Sequence, residues 1–201
     1  MFPLGSVLFP GAVLPLQVFE PRYRQMVEDI GAADNRFGVV LIQRGFEVGG
    51  GDERHGVGTI ARVVRRGESE DGVVLLLAVG EERVRVTKWL EDAPYPLAEV
   101  EPLDEAHPSD SVGEAIAAAA GSLRRLVALA IEMGAVGHQL DFDLPQDEQQ
   151  AAWALCAAAP IGAFDRQQLL ETDDPVTRMA TLEWLLFEQA GDLERALREG
   201  S

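Results

Sequence analysis

Lysine occurs once in these 201 residues, as Lys88, and cysteine once, as Cys156. A P-loop needs G-x-x-x-x-G-K-[ST], so that backbone amides cradle phosphate while the lysine reaches the terminal groups. No such glycine spacing precedes Lys88, and a P-loop ATPase is excluded. One cysteine excludes an intramolecular disulfide and suits a reducing compartment. Within Trp153-Ala154-Leu155-Cys156-Ala157 it reads as a small core residue, because a nucleophilic thiolate needs an electropositive neighbourhood. The three histidines, His55, His107 and His138, lie far apart in loops and none has a two-ligand spacing, so no metal or cofactor is expected. Long apolar runs are also missing. The stretch from Ile116 to Met133 is broken by Arg124 and Arg125 and reads as the helix of a soluble protein, not a membrane span. Nor does Met1-Phe2-Pro3-Leu4 open a secretory signal, which needs a basic and then an apolar region. The expectation is a cytoplasmic protein.

What is present is an apolar content of 47%, enough to bury a core, and a formal net charge of −17. Up to Asp104 there are 11 basic and 17 acidic side chains; beyond it, 6 and 17. Such a field repels polyanions, so neither nucleic acid nor an anionic membrane is an expected partner. Solubility alone accounts for the acidity.

The chain changes character near Asp104. Before it, short apolar runs alternate with turn signals. Val13 to Phe19 reads as a strand, with Pro15 marking an edge or bulge because it cannot donate to a ladder. Pro21 fits the first turn of a helix carrying Tyr23, Met26, Val27 and Ile30 on one stripe, and Gly31 ends it. Strands are expected at Phe37 to Gln43, Val57 to Val64, Val73 to Val79, Glu82 to Trp89 and Leu97 to Leu103, with Arg65 to Gly72 as a hairpin tip. The expected fold for residues 1–104 is a small, partly closed β barrel with one early helix. Residues 105–201 are rich in alanine and leucine and read as a helical bundle. Its helices are expected from Ser109 or Ser111 to Met133, Asp147 to Ala158, Ala163 to Glu171, and from Pro175 towards Leu197 with Asp174 as N-cap. The class is therefore α+β, in two domains.

Two segments bear on binding. Gly49-Gly50-Gly51-Asp52 is not a phosphate cradle, because it leads into a strand and not a helix N-terminus; a loop is expected. In Phe19-Glu20-Pro21-Arg22-Tyr23, Phe19 closes a strand, Glu20 sits at the positive end of the helix, Arg22 points outward and Tyr23 inward. Glu81, Glu82, Arg83 and Arg85 read as a solvated face, with Arg83 as the alternative buried partner of a carboxylate such as Glu20.

Taken together, Phe2-Pro3-Leu4, Val7-Leu8-Phe9-Pro10-Gly11, Leu14-Pro15-Leu16, Phe19-Glu20-Pro21-Arg22-Tyr23, His55 to Ala61, Val79 to Val86 and Ala98 to Glu101 resemble the LON substrate-binding domain, the N-terminal part of Lon-type ATP-dependent proteases. The likeness is densest up to Leu103 and returns near Leu169 to Pro175. It implies a PUA-like pseudo-barrel followed by a helical bundle, and a surface that engages unfolded or tagged protein. In those proteases an ATPase and a peptidase follow; here the sequence ends at Ser201, and the expectation is a binding domain that stands alone. The family's serine–lysine dyad would need Lys88, which sits in a strand with no serine near it in sequence, so no enzyme activity is expected. PUA kinship implies RNA, against which the charge argues. Eukaryotic relatives hold a small-molecule pocket through an added four-cysteine zinc domain that this sequence lacks. The expected function is therefore a non-enzymatic module for peptide segments or unfolded proteins, with Phe9, Phe19, Glu20, Arg22, Tyr23 and Phe46 as the candidate contacts. The alternative is an adaptor acting in trans on a separate protease or chaperone. Oligomeric state is left open.

Overall fold

The computed structural model describes residues 1–45, 53–106, 111–134 and 143–199. Two compact units divide the chain, Met1–Asp104 and Glu105–Ser201.

The first unit is a six-stranded sheet with one helix. Its strands are β1 (Phe2–Leu4), β2 (Val13–Val18), β3 (Arg36–Arg44), β4 (Glu53–Glu68), β5 (Val74–Trp89) and β6 (Ala98–Pro102); helix α1 (Pro21–Gly31) follows β2. The order across the sheet is β1-β3-β4-β5-β2, with β6 also on β5. β1 runs parallel to β3, with Phe2 beside Val39, and the other pairs are antiparallel. β5 is long enough to serve two partners on one edge. Its residues from Val74 to Val79 pair with β2, and those from Val84 to Trp89 pair with β6. Register shifts interrupt the β3–β4, β4–β5 and β5–β6 ladders, and such bulges bend and twist a strand. The sheet therefore curls into a half-barrel around Phe2, Leu4, Val18, Phe37, Val39, Ala61, Leu76 and Ala78, closed from one side by Tyr23, Met26 and Val27 of α1.

Several expected boundaries move. The two strands expected at 73–79 and 82–89 are one. Gly80 does not break β5; it lets the preceding segment cross closely, because a Cβ there would collide with the Phe9 carbonyl oxygen. The Gly11 amide donates to the Gly80 carbonyl (2.8 Å), and the Gly80 amide to that of Ala12 (2.9 Å). Residues 65–68, expected in a hairpin tip, extend β4, and the turn is tighter: Gly72, at φ +75°, donates to the Ser69 carbonyl. Gly31 is the last residue of α1 and not its stop. The left-handed residue is Asn35, φ 59°, whose amide donates to the Ile30 carbonyl. Arg83 is not on a solvated face. It is buried, donates to the Asp104 carbonyl at 3.3 Å, and its own carbonyl accepts from the Leu103 amide.

The second unit comprises α2 (Val112–Glu132), α3 (Glu148–Ala158), α4 (Ala163–Glu171) and α5 (Pro175–Glu199). α2 and α5 form its main pair. Ile116, Ala119, Leu123 and Leu126 are buried on α2, and Met179, Leu182, Leu186 and Ala190 on α5, each set at helical spacing. Asp174 caps α5 as expected, its carboxylate accepting from the Thr177 amide (2.7 Å) and hydroxyl (2.6 Å). Asp147 caps α3 by accepting from the Gln150 amide at 2.8 Å. At the centre lies an arginine. Arg178 is fully enclosed, its guanidinium 3.7 Å from the centroid of the Trp153 ring and bonded to Glu105 and to the carbonyls of Leu169 and Thr172. Among the described residues no helix is long and apolar enough to cross a membrane.

Candidate functional site

The curl of the sheet brings two of its edge strands, β1 and β2, to one cleft. Phe2 and Leu4 of β1 form one side, and the run from Pro15 of β2 to Phe19 the other; Glu20 and Tyr23 complete it. The cleft encloses 170 Å³. Small-molecule sites usually offer roughly 300–1,000 Å³, so this hollow suits one large side chain and not a cofactor.

Phe19 stands on the rim, 58% exposed, where β2 hands over to α1. An aromatic ring left in water beside a hollow of mixed polarity is a contact in waiting. Glu20 takes the N-cap position in extended conformation and Pro21 begins the helix. The Glu20 carboxylate does not cap. It accepts instead from Arg22 Nε at 3.1 Å, and both side chains are mostly covered. The Arg22 guanidinium in turn lies 4.5 Å from the centroid of the Tyr23 ring, and Tyr23 stacks on Phe2 at 4.2 Å with 17° between the planes. Arg22 thus braces the cleft wall and does not point into solvent as expected.

Of the sequence-predicted contacts, Phe19, Glu20 and Tyr23 line the cleft and Arg22 supports it. Phe9 is a correction: it is completely buried. The segment Leu8–Phe9 is pinned to the sheet, Leu8 accepting from the Thr59 hydroxyl at 2.6 Å and Phe9 O from the Ala12 amide at 3.1 Å. Its ring therefore presents no exposed surface to a partner. Phe46 lies outside the described residues. The sequence reading missed Phe2, Leu4, Leu16 and Val18 as cleft residues. A three-residue strand carries no periodicity of its own, so only the parallel pairing with β3 reveals where Phe2 and Leu4 stand.

Chemically the cleft can hold but has little to react with. Among the described residues no histidine, cysteine, lysine or serine lines it. Lys88 is exposed on β5, 3.8 Å from Glu99. Burial pushes the Cys156 thiol up to about 12, so it is a protonated core group at neutral pH. No three His, Cys, Asp or Glu side chains gather around a common point among the described residues. The second unit has two further hollows. One, 310 Å³ and mostly apolar, lies between α2 and α5 beside Leu126, Val127, Pro160 and Leu193; the other, 350 Å³, is edged by Glu105, Asp147 and Glu148.

The sequence matches the ATP-dependent protease La (LON) substrate-binding domain over residues 1–186. Lon protease 2 of Herpetosiphon aurantiacus is 29% identical over 95% of this chain and 24% of its own length, and the Lon protease of Cytophaga hutchinsonii 28% over 94% and 23%. The chain thus spans about a quarter of the length of these curated relatives. Among solved structures, the Lon N-terminal domain protein from Xanthomonas campestris superposes with a TM-score of 0.65 at 30% identity, covering 90% of this chain and 94% of that one. The N-terminal domain of Mycobacterium avium complex Lon protease superposes at 0.60 with 20% identity, covering 94% and 97%, and shows the likeness of fold. With the family match covering nearly the whole chain, this protein belongs to the LON substrate-binding domain family.

Proposed function

We propose that this chain is a non-enzymatic cytoplasmic binding module that takes an extended, apolar peptide segment of an unfolded or partner protein, with the cleft beside Phe19 as its contact in the first unit. The observation that carries the reading is an exposed aromatic ring on the rim of a small hollow, lined by apolar side chains together with Gln17 and Glu20, sized for one side chain. Family membership supports it, since the matched domain is named for substrate binding. Recognition through a single apolar insertion is tolerant of sequence, as engagement of unfolded protein requires. The test is a titration of the intact protein with a labelled, reduced and alkylated polypeptide that cannot fold. Saturable binding is expected, weakened about tenfold by Phe19→Asp and retained by Phe19→Trp. Equal binding by Phe19→Asp removes the cleft from the reading.

The second reading is an adaptor in trans. Its support is that the matched part of the relatives is a minor share of longer proteases, so such a domain has a motor and a peptidase to work beside. Capture of one defined ATP-dependent protease or chaperone, unaffected by Phe19→Asp, would favour it over direct binding of unfolded chains.

A further inference from the structure

We propose that the outward face of α5 around Trp184 and Phe187 is a second docking surface, for a polypeptide segment that carries apolar side chains flanked by lysine or arginine. It does not depend on the Phe19 cleft. Helical spacing fixes the geometry: Met179, Leu182, Leu186 and Ala190 face the core, Trp184 points away from it, and Phe187, three residues on, stands beside Trp184 on the flank. They are 59% and 61% exposed. Two large aromatic rings side by side in water, on a helix whose packing is already complete, make an anchor patch with nothing of the described chain over it.

Charge decides what covers the patch. Glu183 and Glu188 flank the rings along the helix, and among the described residues neither makes a hydrogen bond or an ion pair. Five of the six cations of this unit, Arg124 aside, have partners away from the two glutamates. Arg178 is enclosed; Arg166 donates to the carbonyls of Ala157 and Ala159; Arg125 and Arg198 hold Glu194; Arg195 holds Asp192. With 17 acidic side chains against 6 basic beyond Asp104, the field at the patch is negative. A second copy brings the same field and is repelled. A segment with cations beside apolar residues is attracted, and its cations find both the two free carboxylates and the face of the Trp184 indole.

The test uses the intact protein and a fluorescent amphipathic helical peptide of leucine and lysine, with a matched peptide of leucine and glutamate as control. Binding of the lysine peptide is expected, weakening as salt rises, with anisotropy as readout. Trp184→Ala with Phe187→Ala weakens it about tenfold, and Glu183→Gln with Glu188→Gln weakens it less and flattens the salt dependence. All four positions are off the core, so circular dichroism and melting temperature stay unchanged and a loss reports the surface itself. Equal binding by the aromatic double variant overturns the proposal. So does equal binding of the glutamate peptide, or a concentration-dependent dimer in sedimentation that the aromatic double variant dissolves, since the occupant is then a second copy.

Discussion

The two units solve opposite problems of backbone satisfaction. In the β unit the ladders satisfy the interior, so the core is an apolar cluster, and the ion pairs Arg36–Glu82, Arg62–Glu81 and Lys88–Glu99 stand at the surface. What remains is the sheet's edges, where unpaired amides invite another strand. Each edge strand carries a proline, Pro3 in β1, Pro15 in β2 and Pro102 in β6, whereas β3, β4 and β5 contain none. In the α unit each helix satisfies its own middle and leaves its ends open. At the end of α4, where Leu169 and Leu170 are buried, the chain supplies a buried cation: Arg178 of α5 donates to the carbonyls of Leu169 and Thr172. A positive group at a helix C-terminus also meets the negative end of its dipole. Both units keep ion pairs at the surface; the sheet buries single donors, Thr59 and Arg83, against loop carbonyls, whereas the bundle buries a whole charged network around Arg178.

That contrast breaks most sharply at Arg178. Replacing it with alanine removes the guanidinium that donates to the Leu169 and Thr172 carbonyls, that pairs with Glu105 at 2.8 Å and that covers the Trp153 ring. Removing one partner of a buried charged network costs about 3–5 kcal/mol. Urea unfolding of Arg178→Ala, followed by far-ultraviolet circular dichroism, is expected to show a loss of that order, concentrated in the helical signal. A loss under about 1 kcal/mol, the range of an ordinary surface pair, would mean that the central arginine is dispensable.

Asp174 sharpens the same comparison at the other end of the helix problem, where the cap is exposed. Its carboxyl is held below the ordinary value of 3.8, chiefly by the hydrogen bonds from the Thr177 hydroxyl and amide. A group whose value falls on folding stabilises the fold above its unfolded value. The contribution is therefore complete at neutral pH, begins to fade near 3.8 and is gone once the pH passes below the lowered folded value. Asp174→Ala is expected to cost about 1 kcal/mol at neutral pH. The difference from the parent should vanish in acid; a difference that persists there would put the cost on packing, not on the cap.

What could be read from the sequence follows the same division. Helix starts are local chemistry, so Asp174-Pro175 and Asp147 were legible, as was Pro21 at the head of α1. Pro15 announced an edge or a bulge, the places where a sheet tolerates a missing donor, and β2 is an edge strand. Long-range pairing was not legible. β5 looked like two strands because Gly80 and the two glutamates after it resemble a turn, and only the crossing of Phe9 above it explains the glycine. The cleft followed suit. Phe19 was marked by its place at the end of a strand, while Phe2 and Leu4 required a parallel partner more than thirty residues away. Phe9 looked equivalent to Phe19 by type, and burial alone separates them. Arg178 carried no local signal either: in the first turn of α5, between Thr177 and Met179, it is indistinguishable from a surface residue until α4 ends against it.

The smallest energetic effect tests the edge. Along Val13–Val18 the ladder to β5 runs unbroken through the pair Pro15–Leu77, and among the described residues β2 has no other partner. Pro15→Val therefore removes no ladder bond that the parent makes, and the side chain it adds is at home in a strand. Stability is expected to change by no more than about 0.5 kcal/mol. The change instead restores a donor on an exposed edge that also carries Val13 and Leu14, so the variant is expected to self-associate with concentration where the parent does not, seen as a rising sedimentation coefficient and increased thioflavin binding. A variant that stays as dispersed as the parent would show that twist and charge, not the proline, keep this edge apart, and the parallel drawn between edge prolines in the sheet and a central arginine in the bundle would then hold only on the helical side.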